Sequence, residues 1–109
     1  MKQIDDSVYH ELGHFLAWLD RSRDQKSDFA AVYQKEKSKV NALNKYYITQ
    51  NSSEYYAESY RDYVLTPDKL KAERPSTYAA IQSSLKYLEE SGDTYLARVK
   101  SAYEQTYWN

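Results

Sequence analysis

The chain of 109 residues has no cysteine, two glycines, two prolines and two histidines. Without cysteine there is neither a disulfide framework nor a thiolate metal site. So few glycines, with no Asn-Gly or Asp-Gly pair, leave little room for the tight hairpins that β-architectures use. There is no excess of either charge: 15 basic and 16 acidic residues give a net charge of -1. That excludes the strongly basic footprint expected of a nucleic-acid or anionic-membrane binder. No apolar run is long enough to span a bilayer. The first residues, Met1-Lys2-Gln3-Ile4-Asp5-Asp6, lack the apolar stretch of a signal peptide.

Aliphatic residues are also scarce. Leu, Ile, Val and Phe total 19 of 109, under the roughly 20% at which a highly charged chain reads as disordered. This chain is nearly neutral, and 13 tyrosines with two tryptophans supply the missing apolar area. The expectation is one folded domain over 1–109, with a tyrosine-rich core whose phenols need partners.

Apolar residues recur at helical spacing throughout, which predicts an all-α, compact bundle of about five helices. The first runs from about Asp6 to Leu19, capped by Asp5 or Asp6, with Val8, Leu12, Phe15, Leu16 and Leu19 as its stripe. A second spans about Asp28 to Leu43, and Asn44 to Ser53 reads as a loop. Ser52 or Ser53 is expected to cap a third helix from Glu54 to about Val64. Thr66-Pro67-Asp68 starts a short helix, and Arg74-Pro75-Ser76 opens one to about Glu90. Ser91-Gly92 is a stop, and a last helix from Asp93 to about Tyr107 is expected to bury Leu96, Val99, Tyr103 and Tyr107.

Both histidines fall in one pentad, His10-Glu11-Leu12-Gly13-His14. Four residues apart on a helix, the two imidazoles project from one face and can bind one zinc ion. Glu11, one residue along, can serve as the base that deprotonates an attacking water. Chance produces such a pentad in roughly 0.3% of chains this long. Gly13 costs its helix about 1 kcal/mol relative to alanine, which suggests that another segment approaches closely there. A catalytic zinc needs three protein ligands. With no further histidine or cysteine, the third must be a carboxylate or, less often, a tyrosine. Asp20 is one candidate, although a continuing helix carries it about 9 Å along the axis from His14. Glu54 is another: with Glu58 it forms an i, i+4 pair, where one carboxylate can bind metal and the next can take a histidine N–H. Spacing alone leaves that pair equally open to being a solvated acidic face.

His-Glu-Leu-Gly-His, followed by Glu54-Tyr55-Tyr56-Ala57-Glu58-Ser59-Tyr60-Arg61, resembles the catalytic domain of anthrax lethal factor and its relatives, the bacterial Pro-Pro endopeptidases. The resemblance covers roughly Val8 to Gln82. It implies a zinc metalloendopeptidase acting on peptide or protein substrates, with one zinc per chain held by His10, His14 and Glu54. It implies Glu11 as catalytic base, Glu58 as the residue behind the ligands, and Tyr47, seven residues before Glu54, as the oxyanion donor. Tyr46 is adjacent, and a packing or surface role is the plain alternative for either. Secretion is implied by the family alone. The family carries a β-sheet ahead of the zinc-binding helix, to which no part of this sequence corresponds. The expectation is therefore the helical part of such a domain, with a zinc-binding interaction module of little or no activity as the alternative.

Overall fold

The computed structural model describes residues 6–42 and 44–108, and the side chains of 8–42 and 44–105. Among the described residues, seven α-helices follow one another: α1 (Asp6–Leu19), α2 (Ser27–Glu36), α3 (Lys45–Ile48), α4 (Ser52–Leu65), α5 (Pro67–Glu73), α6 (Pro75–Glu90) and α7 (Tyr95–Trp108). No strand occurs among the described residues, so the all-α expectation holds, with seven helices there in place of about five. The expected cap at Asp5 or Asp6, the apolar place of Leu43 and the burial of Tyr107 lie outside the described residues and side chains.

The first helix has the predicted bounds. Val8, Leu12 and Leu16 are buried on its inner side, but Phe15 is 37% exposed at the edge, against Tyr95 of α7. The second helix stops seven residues early, at Glu36, and a single 3-10 turn (Lys37–Lys39) leads to extended backbone at Val40. Glu36 is wholly buried and turns towards α6. Its carboxylate accepts from Ser76 N (3.1 Å), Thr77 N (2.7 Å) and Thr77 Oγ1 (2.7 Å). Thus the free amides at the start of α6 are capped from another helix, a device that local sequence cannot reveal. The cap of α4 is Asn51, whose side chain accepts from Glu54 N at 2.8 Å, rather than Ser52 or Ser53. Asn44 to Ser53 is not all loop, because buried Ile48 anchors the short α3 within it. In α7, Leu96 is buried, whereas Tyr103 is 44% exposed, contrary to its expected place in the core.

The tyrosines behave as the composition demanded. Tyr55 and Tyr56 of α4 are fully buried with Phe29 of α2 between α1, α2 and α6. Tyr55 OH pairs with Thr77 Oγ1 (2.6 Å), and Tyr56 OH donates to Ser84 Oγ (2.7 Å), which donates to Asp20 Oδ2 (2.7 Å). Tyr33 OH donates to Thr49 O at 2.5 Å. Among the described residues, no buried side-chain nitrogen or oxygen lacks a partner. The buried phenols of Tyr33, Tyr55 and Tyr56 thus fill core volume and each has a hydrogen-bond partner.

Burial pushes the Glu36 carboxyl up, but the Thr77 hydroxyl and the Thr77 and Ser76 amides outweigh it and hold the group below the ordinary glutamate value. A depressed pKa means that this stability is fully present above the unfolded-state value of about 4.3 and is lost as pH falls through the folded-state value. Glu36→Gln leaves at least one donor facing an amide NH2 and should cost about 1–3 kcal/mol at neutral pH. Urea unfolding at neutral pH and on acidification below pH ~4 checks both halves. The gap between parent and variant should narrow in acid, and a constant gap would refute the cap.

Candidate metal centre

Helix α1 lies across α4, and the crossing is at Gly13. A Cβ built there would sit 2.5 Å from Ala57 O, 2.6 Å from Ala57 Cα and 2.9 Å from Ala57 C. Only glycine admits that approach, which accounts for its presence inside a helix. Ala57 lies between Glu54 and Glu58, so the contact that brings the two backbones together also sets the histidines of α1 against both carboxylates of α4.

The donor atoms converge. Glu54 Oε1 stands 2.8 Å from His14 Nε2 and 3.1 Å from His10 Nε2. The imidazole of His10 is held on its other side, with Nδ1 2.9 Å from Glu58 Oε1. The two rings meet edge to face at 5.0 Å. His10 is largely buried, while His14 keeps a third of its side chain open to solvent. Glu11 is exposed on the same helix, and ligand-capable atoms of His10, Glu11 and His14 all lie within 4.8 Å of one another. Glu54 occupies the first turn of α4, where the free amides favour a carboxylate in its charged form.

Tyr47, at the end of α3, comes to the site and Tyr46 does not. Tyr46 is 95% exposed, whereas the Tyr47 ring lies 6.3 Å from that of His10 and its phenol interacts with the Glu54 carboxylate. That interaction, with the charges of Glu54 and Glu11 near it, raises the phenol above its ordinary value. The Glu58 hydrogen bond, joined by Glu54 and opposed by burial, raises His10 above the usual histidine value. Burial pushes Glu54 up, but hydrogen bonds from His10, Tyr47 and His14 bring it below the glutamate range. A cleft of ≈ 450 Å³ opens beside these groups, lined by His10, Glu11, Tyr47, Glu58 and Arg61 among others.

Asp20, the competing carboxylate, is engaged elsewhere. Buried at the end of α1, it accepts from Ser84 Oγ (2.7 Å), Arg21 Nη2 (3.0 Å) and Arg23 Nε (3.2 Å). These partners hold it in the core network that includes Tyr56.

Two imidazole nitrogens and one carboxylate oxygen are donor types that catalytic zinc sites use. Ligand atoms around a tetrahedral zinc with ~2.0–2.1 Å bonds stand about 3.3–3.4 Å apart. Glu54 Oε1 would need to withdraw only about half an ångström or less from each histidine nitrogen to reach that spacing. The Glu58–His10 pairing is the outer contact that such histidines ordinarily make. Arg61 and Asp62, near Glu58 in sequence, and Arg74, to which the sequence did not point, extend the charged face of α4 away from Glu58. The i, i+3 spacing of Glu58 and Arg61 is legible, but Arg74 comes from the start of α6.

The family described as "Anthrax toxin lethal factor, N- and C-terminal domain" matches residues 2–84. That stretch holds α1 to α4 with the whole candidate site, and α7 lies beyond it. No curated protein and no solved structure matches the chain.

Proposed function

Since the chain belongs to the anthrax toxin lethal factor family, we propose that it is a zinc-dependent metalloendopeptidase. In this reading His10, His14 and Glu54 hold one zinc ion, Glu11 is the general base, Tyr47 the oxyanion donor, and Glu58 orients His10. The observation that carries it is the convergence of both histidine Nε2 atoms on Glu54 Oε1.

Bound there, zinc would supply Lewis-acid activation of water and of the scissile carbonyl. The chain's own groups do the rest. Glu11 accepts the proton of the attacking water and passes it to the leaving amine. Tyr47 O–H donates to the carbonyl oxygen as negative charge builds on it. Glu58 accepts from His10 Nδ1, which fixes the tautomer with Nε2 turned to the centre. Substrates are peptides or proteins, and the reading extends to an exported protein, which its recovery from the medium of producing cells would check. No helix among the described residues is long and apolar enough to cross a membrane.

Metal analysis after zinc loading should return about one zinc per chain, and a peptide library should show cleavage that a chelator abolishes. Zinc bound without turnover would make the chain a non-catalytic zinc-binding interaction module. A chain that takes up no zinc would overturn both readings. Tyr47→Phe keeps the ring and removes the donor. It should lower kcat by about 10²-fold with KM little changed, measured on the best library peptide. An undiminished kcat would remove Tyr47 from the mechanism.

A further inference from the structure

Beyond Glu58, the charges on α4 continue in alternating sign. Arg61 Nη1 lies between two carboxylates, 3.6 Å from Glu58 Oε2 and 3.3 Å from Asp62 Oδ1. The other oxygen of Asp62 takes Arg74 Nη2 at 2.5 Å. Arg74 itself is buried at the start of α6, with Nη1 3.5 Å from Ser59 Oγ and its guanidinium over the Tyr55 ring. Each carboxylate is thus gripped at both oxygens by different partners: Glu58 by His10 and Arg61, Asp62 by Arg61 and Arg74.

A carboxylate held at one oxygen can still pivot about it, whereas one held at both cannot leave its rotamer without breaking an ion pair. Of these four residues, Glu58 is the one hydrogen-bonded to a histidine of the centre, through His10 Nδ1. We infer that Arg61 and Arg74, bridged by Asp62, are positioning residues that lock Glu58 against His10 and so tie the centre to the α5–α6 junction. This rests on the zinc-centre reading above. The fixed Glu58 spares the protein the cost of ordering His10 when the metal enters. Arg61 also lines the cleft beside His10 and Glu11, where exposed charge pairs ordinarily contribute little. Its path to His10 runs through Glu58, whose two oxygens meet Arg61 and His10.

The test is a double-mutant cycle on zinc affinity, read by competition with a chromophoric chelator. Arg61→Met keeps the stem and removes the charge, and should weaken zinc binding by about tenfold in the parent. In a Glu58→Gln background the same change should alter affinity by no more than about twofold. Arg61→Lys should restore part of the loss. Arg74→Met should repeat the pattern, and thermal unfolding without zinc reports whether that buried substitution still folds; the Arg61 cycle stands without it. Equal losses in both backgrounds, or no loss in either, would overturn the inference. If the unaltered chain binds no zinc, the metallopeptidase reading and this one fall together. If it binds zinc and is indifferent to Arg61, only this one falls.

Discussion

Replacing Glu11 by glutamine should leave about one zinc per chain and lower peptide hydrolysis by about 10²–10⁴-fold, the usual contribution of a positioned general base. Glutamine keeps the shape of the side chain and one acceptor oxygen but cannot take a proton at neutral pH. The two effects separate because Glu11 is exposed beside the cluster, while Glu54 is the carboxylate that both Nε2 atoms face. Its atoms lie close enough to those of His10 and His14, within 4.8 Å, to reach the same water. The measurement is zinc content and kcat/KM on one preparation. A glutamine variant that cleaves as fast as the parent would remove the mechanism, and one that loses its zinc would make Glu11 a ligand instead of a base.

Gly13→Ala should destabilise the fold and the metal centre together. At an open helical position the change would help, since alanine is favoured over glycine by about 1 kcal/mol. Here the new methyl would overlap the carbonyl oxygen, Cα and carbonyl carbon of Ala57, and backbone held inside a helix cannot swing aside as a side chain does. The two helices must move apart, so the expected result is a net loss of about 1–3 kcal/mol, the range for overpacked cores. For a domain of this size each kcal/mol lowers Tm by roughly 4–8 °C. Because Ala57 lies between Glu54 and Glu58, the same separation draws both carboxylates off the histidines and weakens zinc binding. Thermal unfolding in chelator isolates the packing effect, and titration with zinc then reads the site. A variant that melts at or above the parent would mean that the close approach carries no energetic weight.

Much of this site is local, and the local part was legible. The pairing of His10 with His14 follows from the helical repeat, as does that of Glu54 with Glu58, and α1 forms with its predicted bounds. The unusual glycine also announced a crowded crossing, although not its partner. Three features escaped the local pattern. Glu36 ends the second helix early because its carboxylate serves amides some forty residues later. The short α3 forms because Ile48 finds the core, a matter of packing more than of propensity. Phe15 and Tyr103 fall on apolar positions but lie at the rim.

The sequence by itself determined which groups a metal could find here, two imidazoles in one pentad and, for want of any other histidine or cysteine, carboxylates or phenols. It also determined that the chain is helical, because residue spacing along a helix is set by covalent geometry and the backbone hydrogen-bond repeat. Only the tertiary structure decided which carboxylate faces the histidines and which tyrosine stands beside them. It also joined Arg74 to the charged face of α4. Those choices depend on where one helix crosses another, which is fixed by the close approach of Gly13 to Ala57 and by the buried phenols around it. No spacing within a single helix carries that information.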